Sequence, residues 1–315
     1  MKKKLLNKFS ILILGYSSLA QRRIIKTLIK NKIKFSIASK SSSKKEKKTY
    51  KWFRDYNMAL NSSKANIVYI SLPNSLHYYW AKKSLEKGYH VIVDKPLTEN
   101  SKQANNLIKI AKRNNKMLTE AIFFNYHEQF NEAIKNIGGI KNIKHVNANF
   151  AIPLPKQNSI RMSNKLSGGC FMDMGPYAAG IARIFCTGKL TRLDKVLVRS
   201  KNGLIISFAI ICKFTKTTFS GFFCFGGEYQ NNLILSSNKR YVELNRVFSS
   251  PSDENMKLTI KRKNKFYYKK IKKDNIFENY LKKILESINK KKYSFYYKTI
   301  LQDINFREKI NKKIF

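Results

Sequence analysis

Through its first 122 residues the sequence alternates short apolar runs with amphipathic stretches, and this alternation limits the fold more than any other feature. Residues 10–15 (SILILG), 34–39 (KFSIAS), 66–71 (NIVYIS), 90–94 (HVIVD) and 116–122 (KMLTEAI) are five runs of strand length. Between the first two, residues 19–32 carry helical spacing through Leu19, Ile24, Ile25, Leu28 and Ile29. A second helix over 75–87 stops at Gly88, a natural C-terminal cap, and a third spans 100–114. Buried strands separated by helices of this length predict right-handed βαβ units and a parallel sheet covered on both faces. The Lys/Ser-rich stretch after residue 39 reads as a loop.

The pattern changes near residue 143. Residues 145–152 read as a strand and 172–186 as a helix. Segments 195–199, 204–214, 217–225, 230–236, 240–245 and 256–262 then follow as consecutive strands in the antiparallel style. Two late helices, 275–289 and 296–312, are available to cover such a sheet, the first amphipathic through Ile276, Phe277, Tyr280, Leu281, Ile284, Leu285 and Ile288. The expectation is an α/β chain of two domains. Residues 1–122 form a dinucleotide-binding unit, and 123–315 form a substrate-binding and oligomerisation unit on a largely antiparallel open sheet.

The 315 residues carry 63 Lys+Arg against 19 Asp+Glu, a net charge of +44, while 43% are hydrophobic, enough for two real cores. Two readings compete for the charge. A field of this size attracts polyanions without sequence preference. However, 51 of the 63 basic residues are Lys, spread along a chain also rich in Asn, Ile, Phe and Tyr. That is the signature of A/T-rich codon usage, whereas readers of phosphate or bases favour Arg. No specific nucleic-acid partner is expected. Four cysteines (Cys170, Cys186, Cys212, Cys224) show no CxxC pair and no metal spacing, which fits a reduced, cytoplasmic chain without metal. No apolar run approaches the ~20 residues of a membrane span. The first 21 residues imitate a secretory signal, but Lys8 interrupts the apolar part and the same residues supply the first strand.

Gly15-Tyr16-Ser17-Ser18-Leu19-Ala20 stands between the first strand and first helix, where a dinucleotide turn belongs. Its spacing matches G-x-G-x-x-A/G with the middle glycine replaced by Ser17. The helix N-terminus beyond it is a natural phosphate site, and the Ser17 hydroxyl is a candidate donor to a phosphate oxygen. After the second strand come Ser39-Lys40-Ser41, with no acid until Glu46. A hydroxyl and a cation suit a ribose 2′-phosphate, so NADP is favoured over NAD. Lys95 follows the fourth strand at the edge where open α/β sheets bind ligands, and Pro96 restricts it to extended geometry, with a cis Lys-Pro bond as one option. The alternative is an ordinary strand-ending turn with a solvated lysine. In residues 167–185 (SGGCFMDMGPYAAGIARIF), Asp173 and Tyr177 lie four apart and share one helix face, and Pro176 points to a first-turn position. An acid and a phenol so placed can handle a sugar hydroxyl and its proton; the alternative is a cap and a packing ring.

Together these stretches resemble the Gfo/Idh/MocA oxidoreductases. Asp94-Lys95-Pro96 is similar to the family's Glu-Lys-Pro signature, with Asp for Glu. Gly168-Gly169-Cys170-Phe171-Met172-Asp173-Met174-Gly175-Pro176-Tyr177 is similar to its G-G-x-x-x-D-x-G-x-H/Y stretch, in the tyrosine form. Leu72-Pro73-Asn74-Ser75-Leu76-His77 and Glu120-Ala121 match the segments after the third strand and at the end of the fifth. Asn125 stands where many members have Arg. The resemblance implies a Rossmann domain followed by an α/β domain, and reversible hydride transfer between nicotinamide and a carbinol or keto carbon. It makes Lys95, Asp173 and Tyr177 the catalytic set, with Tyr177 as general acid/base. A phenol titrates near pH 10, so it needs a neighbouring cation, and Lys95 is the candidate. The expected cofactor contacts are Gly15, Ser17, Ser18, Leu19, Ala20, Ser39, Lys40, Leu72, Pro73, Asn74, His77, Asp94, Lys95 and Pro96. Substrate contacts are expected from Lys95, Arg161, Asp173 and Tyr177. Residues 225–231 and 245–248 resemble segments of members acting on sugars or nucleotide sugars. A homo-oligomer through the open sheet face follows from the family; a catalytically idle nicotinamide-binding regulator is the competing reading on the same fold.

Overall fold

Ile11, Leu12, Ile13 and Leu14 are 0–1% exposed, as a strand covered on both faces must be. They form β1 (Ser10–Leu14) at the middle of a six-stranded parallel sheet. The computed structural model describes residues 8–40 and 50–314. Ser41, Glu46 and the first seven residues of the signal-like segment therefore lie outside the described residues.

After β1 the chain winds through α1, which opens as a π-helical stretch (Ala20–Ile25) and continues as α-helix (Lys26–Lys30). Then come β2 (Lys34–Ala38), β3 (Lys51–Phe53), α2 (Tyr56–Ser62), β4 (Ile67–Ile70), α3 (Asn74–Glu86), β5 (His90–Asp94), α4 (Ser101–Arg113) and β6 (Leu118–Ala121). The sheet order is β3-β2-β1-β4-β5-β6, so the direction of winding reverses beside β1. Leu14 pairs with Ala38 and with Ile70, and Ile70 pairs with Val93. Four strands thus end level, and Gly15, Ser39, Ser71 and Asp94, which come next, share one edge. The Lys/Ser-rich stretch over 41–49, read as a loop, lies outside the described residues, and β3 and α2 follow it where the sequence reading gave no element. β3 offers only three residues of pattern, and α2 is fixed by Asp55, whose carboxylate accepts the Met58 N–H at 2.7 Å.

By contacts the chain divides into two units, one made of the chain up to Ala121 with Phe277–Leu301, the other of Ile122–Ile276 with the chain from Gln302 onward. The second unit holds α5 (Glu128–Ile137), β7 (His145–Ile152), α6 (Cys170–Phe185), β8 (Leu190–Lys201), β9 (Leu204–Phe214), β10 (Thr218–Phe225), β11 (Gln230–Ser236), β12 (Arg240–Asn245), β13 (Met256–Arg262) and β14 (Lys265–Ile271). Its eight strands run β14-β13-β12-β11-β7-β10-β9-β8, antiparallel throughout except for the central β7–β10 pair. The sequence reading passed over α5, although Phe130, Ala133, Ile134 and Ile137 carry helical spacing, and over β14, which has no alternation; β8 is longer than its sequence pattern because register shifts break its alternation. One face of this sheet carries Val146, Phe208, Phe219, Phe223, Leu233 and Leu244, all at most 1% exposed. α6 lies on it, with Ala178, Ala179, Gly180, Ile181 and Ala182 buried in succession, as a helix enclosed on all sides requires.

The late helices α7 (Ile276–Asn289) and α8 (Ser294–Ile314) depart from the expectation that both cover the antiparallel sheet. Residues 277–301 belong with the parallel sheet. Tyr280 Oη lies 3.4 Å from both Thr119 Oγ1 and the Glu120 carbonyl, Lys30 pairs with Glu278 at 2.9 Å, and Tyr297 donates to the Lys116 carbonyl. Only the last turns of α8 reach the second core, through Phe306 and Ile310, while Asp303 accepts from Arg183 Nε at 2.7 Å.

Candidate active site

Gly15 turns the chain at the end of β1 with φ +97°. A Cβ there would stand 2.2 Å from the Ser71 carbonyl oxygen, so only glycine brings the turn this close to β4. Ala20 is fully buried behind it, which lets α1 approach the sheet. The Ser17 hydroxyl is engaged within the protein. Its oxygen accepts the Ala20 N–H at 3.1 Å and lies 2.6 Å from Ser71 Oγ, while Ser71 donates to Asp94 Oδ2 at 2.6 Å. With the Ser71 proton directed to Asp94, the Ser17 proton is directed to Ser71. Ser18 and Leu19 complete the turn into α1. The Ser39 N–H donates to the Phe53 carbonyl and Ser39 is 4% exposed, whereas Lys40 is exposed at the same edge.

At the end of β4, Leu72, Pro73 and Asn74 lead into α3, with Pro73 at its N-cap. His77 is fully buried, its Nδ1 2.7 Å from the Pro96 carbonyl oxygen and its Nε2 2.8 Å from that of Leu72. Both ring nitrogens face backbone oxygens, so the imidazole braces two turns. The Lys95–Pro96 peptide is cis. Asp94, which takes the place of the family glutamate, accepts from Ser71 and from the Tyr69 hydroxyl, one donor per carboxylate oxygen. Burial pushes its carboxyl up from the usual range, while the Ser71 and Tyr69 bonds and the attraction of His77 and Lys95 pull it back. Tyr69 is pushed well above the usual phenol range by burial and by Asp94, and it stays a donor. Ser71 and Tyr69 escaped the sequence reading. Ser71's position just before Leu72-Pro73-Asn74 was the one available signal.

In the second unit, Gly168-Gly169 open α6. A Cβ on Gly168 would meet the Arg161 and Ile160 carbonyl oxygens at 2.6 and 2.7 Å, and the Gly169 N–H donates to the Arg161 carbonyl at 2.7 Å. The glycine pair therefore seats the Ile160–Met162 turn on the helix start, and Arg161 Nε reaches Asp173 Oδ2 at 3.0 Å. Arg161 and Asp173, singled out separately, are brought together. The helix begins at Cys170, earlier than its apolar pattern, so Pro176 falls in the second turn instead of the first. Asp173 stays in the first turn and Tyr177 follows one turn later. The Tyr177 ring is walled by Phe248, Phe150 and Phe124 at centroid distances of 5.1, 5.7 and 5.8 Å. Phe248 is held there by buried Asn231, whose Oδ1 accepts its N–H at 2.9 Å and whose Nδ2 donates to Tyr229 Oη and Ser249 Oγ. This joins the 225–231 and 245–248 segments. Among the described residues no group of three or more His, Cys, Asp or Glu is placed to hold a metal ion.

A parallel sheet of this order, with a glycine turn and a helix N-terminus at its carboxyl edge, defines the dinucleotide-binding class. Residues 9–122 match the oxidoreductase family described as an NAD-binding Rossmann fold, and residues 131–239 match the GFO/IDH/MocA C-terminal domain. The chain belongs to the Gfo/Idh/MocA family of NAD(P)-dependent oxidoreductases. Among its relatives is a dTDP-3,4-didehydro-2,6-dideoxy-α-D-glucose 3-reductase of Saccharopolyspora spinosa, 26% identical over 262 residues, which are 80% of this chain and 79% of the relative. A D-xylose 1-dehydrogenase (NADP(+)) of Haloferax volcanii is 30% identical over 135 residues, 42% of each chain. Among solved structures, KijD10, a 3-ketoreductase from Actinomadura kijaniata in complex with NADP and TDP-benzene, superposes with a TM-score of 0.90 at 21% identity over 97% of each chain.

Proposed function

We propose that this oxidoreductase transfers hydride between NADP(H) and a carbinol or keto carbon of a nucleotide-linked sugar, with Lys95, Asp173 and Tyr177 as its catalytic residues. The observation that carries the reading is the first two turns of α6, where Asp173, paired with Arg161, precedes Tyr177 by one turn. A phenol and a carboxylate on one helix face, in a chain of this family, are equipped to move a proton at a sugar oxygen. The relatives named for dTDP-sugar reduction and the TDP-benzene complex support a nucleotide sugar over a free one.

The residues fit the cofactor. Gly15 keeps the turn free of a side chain, the positive end of the α1 dipole follows it, and Ser39 and Lys40 supply a hydroxyl and a cation for a 2′-phosphate. Bound nicotinamide supplies the redox chemistry; the chain supplies position and field. Lys95 hydrogen-bonds the reacting oxygen and stabilises alkoxide charge, Tyr177 gives or takes the proton, and Asp173, steadied by Arg161, orients the sugar hydroxyl.

The test is Tyr177→Phe, assayed at 340 nm with NADPH against dTDP-linked keto-sugars and a panel of free sugars. Turnover should fall about 10²–10⁴-fold with NADPH affinity retained. Unchanged turnover removes the role of Tyr177. Absence of any turnover in the wild-type protein across both panels removes the substrate class.

A further inference from the structure

Two departures from the family pattern, Ser17 for glycine and Asp94 for glutamate, stand on different strand ends yet are joined by one hydroxyl. Ser17 Oγ and Ser71 Oγ are 2.6 Å apart, and Ser71 Oγ is 2.6 Å from Asp94 Oδ2. The direction of the bonds is forced. The Ala20 N–H donates to Ser17 Oγ, an ionised Asp94 only accepts, and each hydroxyl has one proton. The donors therefore run Ala20, Ser17, Ser71, Asp94 without a break. Ser71 is 3% exposed, so no water replaces it at little cost. The shortened carboxylate suits this arrangement, because its other oxygen takes the Tyr69 hydroxyl from within the sheet.

We propose that Ser71 is a positioning residue that locks the dinucleotide turn to the Asp94-Lys95-Pro96 turn, and that Ser17 serves this relay instead of binding phosphate. Fixing Asp94 fixes the backbone that presents Lys95. His77 makes the parallel tie between the Leu72 and Pro96 carbonyls. The groups facing Asp94 are Tyr69 and Ser71 from the β4 side, His77 from α3 and Lys95 beside it; Tyr280 of α7 stands behind Tyr69, and Glu120 of β6 is engaged with the Leu97 N–H at 2.8 Å. The consequence for turnover rests on the catalytic reading of Lys95; the relay itself does not.

The sign of the test follows from burial, which already holds the Asp94 carboxyl above its usual value. Stability from this group therefore falls as pH rises from the unfolded value through the folded one. Removing a donor to the carboxylate lifts the folded value further, so the deficit of a Ser71 variant opens as pH rises. The experiment is urea unfolding of the full-length apoprotein from pH 4.5 to 8 for wild type, Ser71→Ala, Ser17→Ala and the double variant, with NADPH affinity measured alongside. Ser71→Ala should raise the unfolding constant roughly tenfold at pH 8 and clearly less at pH 4.5, from the net value of a charge-assisted bond. Ser17→Ala should show a smaller loss of the same pH trend, and adding it to Ser71→Ala should cost less than it does alone. A deficit independent of pH, or strict additivity of the two changes, overturns the relay. If Ser71→Ala does not fold, Ser17→Ala decides. Weakened NADPH binding with unchanged apoprotein stability would make Ser17 a phosphate ligand and sink the proposal. None of these readings passes through turnover, so the relay and the catalytic role of Lys95 fail separately.

Discussion

Gly15 and His90 show how single residues govern the parallel sheet. Gly15→Ala puts a methyl against the Ser71 carbonyl in a backbone region closed to L side chains. It should cost at least about 2–3 kcal/mol, read from the urea midpoint, and abolish nicotinamide binding. His90 accepts the Met117 N–H at Nδ1, which only an unprotonated nitrogen can do, and burial lowers its pKa to about 4. Above pH 6.5 it is neutral folded and unfolded. Between 6.5 and about 4 the unfolded chain takes up a proton that the folded one refuses, so stability falls as pH drops through this window. His127 and His145 are lowered by burial in the same direction. His90→Asn keeps an acceptor and should flatten part of the decline in melting temperature between pH 6.5 and 4.5. At the second site, the Arg161–Asp173 pair is half exposed, so Arg161→Ala should change stability by less than about 1 kcal/mol. Its effect should appear as reduced turnover, with circular dichroism and urea midpoint close to wild type.

Among elements, α6 and α8 are joined by a buried charge pair with one decisive residue. Asp303 is 1% exposed and takes the Arg183 guanidinium at 2.7 Å, so Asp303→Ala leaves a cation uncompensated against α6. A loss of about 3 kcal/mol or more in urea unfolding is expected. How far such elements can be read in advance depends on how local their cause is. β1, β4 and β5 were legible because both faces are buried, which removes polar alternation. The turn at Lys95 and the helix start that carries Asp173 and Tyr177 were legible because Pro96 and Gly168-Gly169 mark the chain there. α5 was legible in the spacing of Phe130, Ala133, Ile134 and Ile137 but was passed over, and only its start was masked, since its N-cap is His127, whose Nδ1 accepts the Gln129 N–H, in place of the usual Ser, Thr, Asp or Asn. Ser71 and Tyr69 were not legible, because their bonds to Asp94 join strands through register and leave no periodicity behind. The return of α7 to the parallel sheet was equally silent: its apolar face fits either sheet, and Tyr280 decides by contacts with Thr119 and Glu120.

For the molecule as a whole, +44 on 315 residues is a self-repulsion that the fold must overcome. The eight lysines from Lys257 to Lys273 are held apart on and beside a solvent-facing hairpin, some over its rings, as Lys257 is over Tyr268 at 3.7 Å. Raising NaCl from 50 to 500 mM shortens the screening length and should lift the melting temperature by a few degrees. DNA binding that persists at ~150 mM salt would give the charge a task beyond codon usage; binding that vanishes there leaves it as composition. A different consequence belongs to the segment Phe277–Leu301, which completes the unit begun by the first strand. On the ribosome the parallel sheet is made first, but roughly 155 residues must follow before its last helix emerges, on the order of ten seconds or more at ordinary elongation rates. Until then the surface around Thr119 and Lys116 is open to chaperones and to other nascent chains. A release of the chain near residue 275 would therefore yield two unfinished units, not one finished unit and a fragment.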